Sequence, residues 1–266
     1  MLYSVFSSLE RGFRGASPAN LSWVLNGYTL VYAAMLIPSG GLSDSYGRKR
    51  IFLLGVALFI AASGACGLAP NVPLLVTARV VQAFGAALLT PASLSLVLAA
   101  FPLDQRTLTV SLWGAVGGFA AAIGPSLGAY FAQTTSWRWA FFINVPIGLI
   151  ALAFGFRHLH RIDQPLKHET GRRVDFIGMA LLISAVGALA LGLTEVGSPT
   201  WSRGDIAEVW GISAVGIVAF IAWANTVRAP LIDLSLFRYG TYNAVNLATL
   251  TFGIAFSMMF LRFSFT

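Results

Sequence analysis

Arg79 and Gln82 lie three residues apart inside an otherwise apolar run, Leu74–Ala100. A guanidinium is costly within a bilayer, so it either snorkels to the nearer surface or faces a polar interior with a partner. Gln82 shares a helical face with Arg79, which favours the interior. Gly85 and Ala86 follow, and small residues let another helix pack closely. The chemistry such a pair offers is charge recognition at membrane depth.

Two further stretches stand out. Gly40–Ile51 reads as a short loop between apolar segments and carries Asp44, Arg48, Lys49 and Arg50. Its glycines permit a tight turn. Asp44 can face a helix N-terminus or the arginines that follow. The three cations anchor the next helix at lipid headgroups. An ordinary basic loop explains the cations but not the spacing of Gly40, Leu42, Asp44, Gly47 and Arg48. The other stretch holds Gly114, Gly117, Gly118, Gly124 and Gly128, a stripe suited to close helix contact. Pro125 within it removes a backbone hydrogen bond and is expected to bend the helix.

Enzyme signatures are absent: no HExxH, Walker loop, CxxC or G-x-S-x-G occurs. The expectation is no enzyme, no metal and no cofactor. His158, His160 and His168 fall in one basic stretch and read as a solvated face near anionic headgroups. Cys66, the one cysteine, lies in an apolar run and reads as a small packing residue.

These groups need helices to hold them, and the composition says where those helices sit. The chain is 57% hydrophobic and 10% charged, with mean hydropathy +0.77. Soluble proteins carry roughly 25% charged residues. Lipid must therefore cover the apolar runs. The net charge of +7 does not point to nucleic acid, because the cations collect in short loops between apolar runs.

A crossing helix needs about 20 apolar residues. One partial segment, Met1–Leu9, and eight full ones fit: Leu21–Ser39, Ile51–Ala69, Leu74–Ala100, Leu108–Phe131, Trp139–Phe156, Phe176–Thr194, Ile206–Val227 and Tyr242–Phe263. Ser17 is a plausible N-cap with Pro18 at the first helical position. The N-terminal stretch lacks signal-peptide features and reads as the second half of a membrane helix.

Alternate loops differ in basic charge. One set holds Arg48, Lys49, Arg50, Arg106, Arg157, Arg161, Lys167, Arg172, Arg173, Arg228 and Arg238. The other holds Arg11, Arg14, Arg138 and Arg203. The richer set is expected in the cytoplasm, with the chain's start on that side of the plasma membrane. Trp137 and Trp139 fit an outer aromatic belt. The expected divisions are 1–157, a basic loop at 158–173, two helices over 174–228, and a further unit from 229 to 266.

With these residues in place, the chain resembles the major facilitator superfamily, within it the fourteen-helix drug:proton antiporters. Gly40-Gly41-Leu42-Ser43-Asp44-Ser45-Tyr46-Gly47-Arg48-Lys49-Arg50 matches the family's loop motif between helices two and three, with Ser45 where a basic residue is usual. Arg79-Val-Val-Gln82-Ala83-Phe-Gly85-Ala-Ala87 matches the fourth-helix motif, with Ala83 replacing a usual glycine. Gly124-Pro125-Ser-Leu-Gly128 matches the core of the fifth-helix antiporter motif, whose outer glycines are here Ala120 and Ala129. Trp137-Arg138-Trp139-Ala-Phe-Phe-Ile-Asn144-Val-Pro146 is similar to the start of the family's sixth helix.

The resemblance covers nearly the whole chain and implies an all-α integral membrane fold. It would hold the N-terminal six-helix bundle with its first helix truncated, two extra helices, and the first helix of the C-terminal half. It implies export of small amphiphilic compounds driven by inward proton movement. Arg79 and Gln82 would line the central cavity and couple protons. Gly40, Leu42, Asp44, Gly47, Arg48 and Lys49 would form a latch. Gly85, Gly117, Gly124, Pro125 and Gly128 would serve packing and bending. Trp23, Tyr28 and Phe84 are candidates to line a cavity for cationic amphiphiles.

Two departures qualify this reading. No acid falls in the middle of a segment, although proton relays need an ionisable group at depth. Alternating access needs two halves, and the chain supplies one. The alternatives are a sugar or metabolite carrier of the same superfamily, and a half that only pairs with a partner.

Overall fold

The computed structural model describes residues 6–13, 15–159, 174–198 and 201–264, and among them there is no strand. The helices are α1 (Phe6–Gly12), α2 (Pro18–Tyr46), α3 (Arg48–Leu68), α4 (Val72–Ala100), α5 (Arg106–Thr134), α6 (Trp139–Phe142), α7 (Asn144–His158), α8 (Phe176–Glu195), α9 (Arg203–Thr226) and α10 (Gly240–Ser264). Short 3-10 turns precede α5 and α10.

Local chemistry sets the helix starts. Ser17 Oγ accepts from Asn20 N at 3.2 Å, with Pro18 opening α2. Asn71 Oδ1 accepts from Leu74 N at 2.9 Å and starts α4. Ser202 and Asp205 form a reciprocal capping box at α9.

Seven stretches among the described residues are long and apolar enough to cross a membrane: Ala19–Tyr46, Arg48–Leu68, Val72–Ala100, Leu103–Thr134, Trp139–His158, Phe176–Glu195 and Arg203–Thr226. The expected segment Tyr242–Phe263 lies within α10. Of the expected segment Met1–Leu9, residues 1–5 lie outside the described residues. So do His160, Arg161, Lys167, His168, Arg172 and Arg173 of the expected basic loop.

The stretch Gly40–Ile51 differs from its expectation as a loop. α2 stays helical through Tyr46, only Gly47 breaks it, and α3 begins at Arg48. The reason is length. Twenty-nine residues extend about 43 Å at 1.5 Å each, beyond the ~30 Å hydrocarbon core. The polar end of α2 therefore needs no unwinding to leave the lipid.

α2, α3 and α4 form the packed centre, with α3 against α4 as the most extensive pairing. At one end Leu9, Leu21, Val24, Cys66, Leu75, Trp137 and Phe141 make a buried cluster. Nearer the Gly47 end, Ile51, Leu88 and Ala92 make a second. α7 lies on α3. α8 and α9 pair through small residues: a Cβ at Gly216 would stand 3.0 Å from Ala185 Cβ. α8 also rests on α2, where a Cβ at Gly187 would lie 3.9 Å from Ala34 Cβ.

Candidate functional site

A chain of buried polar groups crosses α2, α3 and α4. Arg79 sits on the eighth residue of α4, about 10 Å along the axis from its start. It does not snorkel: it is 6% exposed, and Gln82 is 1% exposed. Arg79 Nε donates to the Val24 carbonyl oxygen of α2 at 3.0 Å. Arg79 Nη1 donates to Gln82 Oε1, and Gln82 Nε2 donates to Ser63 Oγ of α3. The guanidinium carbon lies 3.9 Å from the Tyr28 ring centroid and 5.8 Å from that of Phe141.

No carboxylate forms an ion pair with Arg79 among the described residues. Its charge is held by a carbonyl, an amide and aromatic faces. Cation–π contact contributes about 2 kcal/mol when desolvated. Three helices are thus pinned to one cation at their polar atoms. Gly85, two turns on, brings the backbones together. A Cβ there would lie 2.6 Å from Phe59 N, and one at Gly55 would lie 2.7 Å from Leu89 N. The close approach keeps Ser63 within reach of Gln82.

The α2–α3 turn is a second constellation. Gly47 has φ 98° and ψ 129°, which an L side chain rarely adopts. Asp44 Oδ1 lies 3.8 Å from Arg48 Nε, across the break. Leu42 packs against the Ile51 cluster. Lys49 is only 8% exposed and is folded inward, unlike the headgroup anchor expected of it. A Cβ at Gly40 would lie 3.9 Å from Pro91 Cβ.

α5 behaves differently from its expectation as a close-packed stripe. A Cβ at Gly114, Gly117 or Gly118 would meet nothing within 4 Å. Gly117 instead lines an open groove of about 470 Å³ with Val97, Phe101, Thr109, Leu112, Trp113 and Val116. Gly128 is buried, Gly124 and Pro125 are half-buried, and the helix continues through Pro125.

The sequence reading missed three positions. Ser63 completes the polar chain, and its only signal was a hydroxyl amid α3's apolar run. Arg138, read as loop charge, donates from Nη1 to the carbonyls of Gly67 at 2.7 Å and Ala69 at 2.9 Å. It thereby satisfies the end of α3 while stacking 4.5 Å above Trp137. Asp175 caps α8 and gathers bonds from two other segments. Tyr28, a candidate for substrate contact, has its ring face occupied by Arg79. Phe84 is 37% exposed on the outside of α4, and Trp23 is half-buried.

Comparison with known proteins gives this arrangement a family. The methylenomycin A resistance protein of Bacillus subtilis is 35% identical over 230 residues, 86% of this chain and 48% of that protein. The multidrug resistance protein Stp of Mycobacterium tuberculosis is 35% identical over 260 residues, 97% of this chain and 47% of that protein. The fatty acid resistance protein FarB of Neisseria gonorrhoeae is 32% identical over 240 residues, 90% of this chain and 46% of that protein. The chain spans about half the length of these curated relatives. The family profile that matches covers residues 1–266 and is that of the Major Facilitator Superfamily, to which this multi-pass membrane chain belongs.

Proposed function

We propose that this chain forms part of a transporter that exports small amphiphilic compounds across the plasma membrane, driven by inward proton movement and needing no cofactor. The remaining length of its relatives would supply the second half that alternating access requires. The proposed orientation places Gly47 and the chain's start at the cytoplasmic face, in line with the distribution of basic residues. The observation that carries the reading is Arg79, a cation buried without an ion pair among the described residues, bonded directly to α2 and through Gln82 to α3. Such a group responds to a negative charge that arrives or departs nearby, as a proton carrier or an anionic ligand group would. The names of the relatives, resistance to an antibiotic, to several drugs and to fatty acids, support amphiphilic cargo.

The test is efflux of a fluorescent lipophilic cation from cells that carry the chain within its natural reading frame. Efflux should stop when an uncoupler collapses the proton gradient, and Arg79→Gln should abolish it while the protein still reaches the membrane. Efflux equal to that of empty cells would overturn the reading. A proton flux driven by a sugar would favour a metabolite carrier instead.

A further inference from the structure

Asp175 does more than start a helix. Its Oδ1 accepts from Gly178 N at 2.8 Å, the ordinary N-cap bond of α8. The same oxygen accepts from Trp223 Nε1 of α9 at 2.8 Å. Oδ2 accepts from Leu231 N at 3.2 Å, in the segment that leads to α10. A cap requires only the first of these. The carboxylate has no ion pair among the described residues, so three neutral N–H groups carry its charge. Bonds to an ionised acceptor are the strong ones.

What Asp175 holds touches α2. Leu231 follows directly from the bonded amide, and Met179 lies one turn beyond the cap. A Cβ built on Gly41 would stand 2.6 Å from Leu231 Cδ1 and 3.2 Å from Met179 Cε. Met179 is 6% exposed. Both side chains therefore bear on one glycine, three residues before Asp44 at the α2–α3 turn. A larger residue at 41 would push them away.

We infer that Asp175 is a positioning residue that clasps the α8–α9 pair and the 229–233 segment together and seats them on Gly41 at the end of α2. The two helices that follow the basic stretch are then a brace on the α2–α3 turn.

Paired cysteines in the full chain, with Cys66→Ser, test it in membranes. Gly41→Cys with Leu231→Cys reports the seat, and the loss of the leucine makes room for the new side chain. Ala185→Cys with Gly216→Cys reports the α8–α9 pair. Asp175→Asn retains one carbonyl oxygen for the cap and the indole but presents an amide N–H₂ to the Leu231 N–H. Crosslinking at 41–231 should fall about tenfold, the effect of losing one charge-assisted hydrogen bond, while 185–216 crosslinking is unchanged. Unchanged yield at 41–231 would overturn the clasp. Equal loss at both pairs would also overturn it, leaving Asp175 as a determinant of α8–α9 folding alone.

Discussion

α4 and α5 are equally long, 29 residues each, but the one glycine of α4 and the glycines at the start of α5 meet opposite surroundings. Gly85 of α4 meets the backbone of α3 so closely that no Cβ fits. Gly114, Gly117 and Gly118 of α5 meet nothing. A glycine stripe therefore reports that close contact is possible, and only the facing element decides whether it is made. Polar residues follow the same division. Those between α3 and α4 are bonded into a chain through Arg79, whereas Trp113 of α5 reaches Ser93 Oγ at 3.2 Å beside an open groove.

Substitutions can break or sharpen this contrast. The largest loss is expected for Gly85→Val, which drives a branched side chain into the Phe59 backbone and costs about 3 kcal/mol. Thermal unfolding of the detergent-solubilised chain measures it. An unchanged transition would mean that α3 and α4 separate without penalty. Arg138→Ala leaves the Gly67 and Ala69 carbonyls at the end of α3 without their guanidinium and costs about 2 kcal/mol by the same measurement. Gly47→Ala forces a side chain into a positive φ and costs about 1–2 kcal/mol. Asp44→Asn removes a half-exposed ion pair at 3.8 Å, so its effect stays under about 1 kcal/mol and shrinks in high salt. Gly117→Val should leave stability within about 0.5 kcal/mol of the original. A loss there as large as that of Gly85→Val would mean that another helix covers α5.

Much of this was legible in the order of residues. Apolar run lengths located α2, α3, α4, α5 and the α8–α9 pair, because lipid imposes a fixed minimum on a crossing helix. Ser17 and Pro18 marked the start of α2 through local chemistry alone. Arg79 and Gln82 were visible as expensive groups in an apolar run. Their partners were not: Val24 and Tyr28 lie more than fifty residues away, and a backbone carbonyl or a ring face carries no sequence signal. The stretch Gly40–Tyr46 is helical although its polarity and adjacent glycines predict a loop. A helix that has left the lipid can be polar and stay wound. The inward fold of Lys49 and the bonds of Asp175 likewise depend on which elements meet, which no local pattern specifies.

The single residue between α2 and α3 has a mechanical consequence. Neighbouring helix axes lie 8–10 Å apart, while one extended residue spans at most about 3.6 Å. Residues 69–71 alone join α3 to α4 at the opposite end. Neither joint stores spare chain. Both joints are short, which limits how far α2, α3 and α4 can slide past one another.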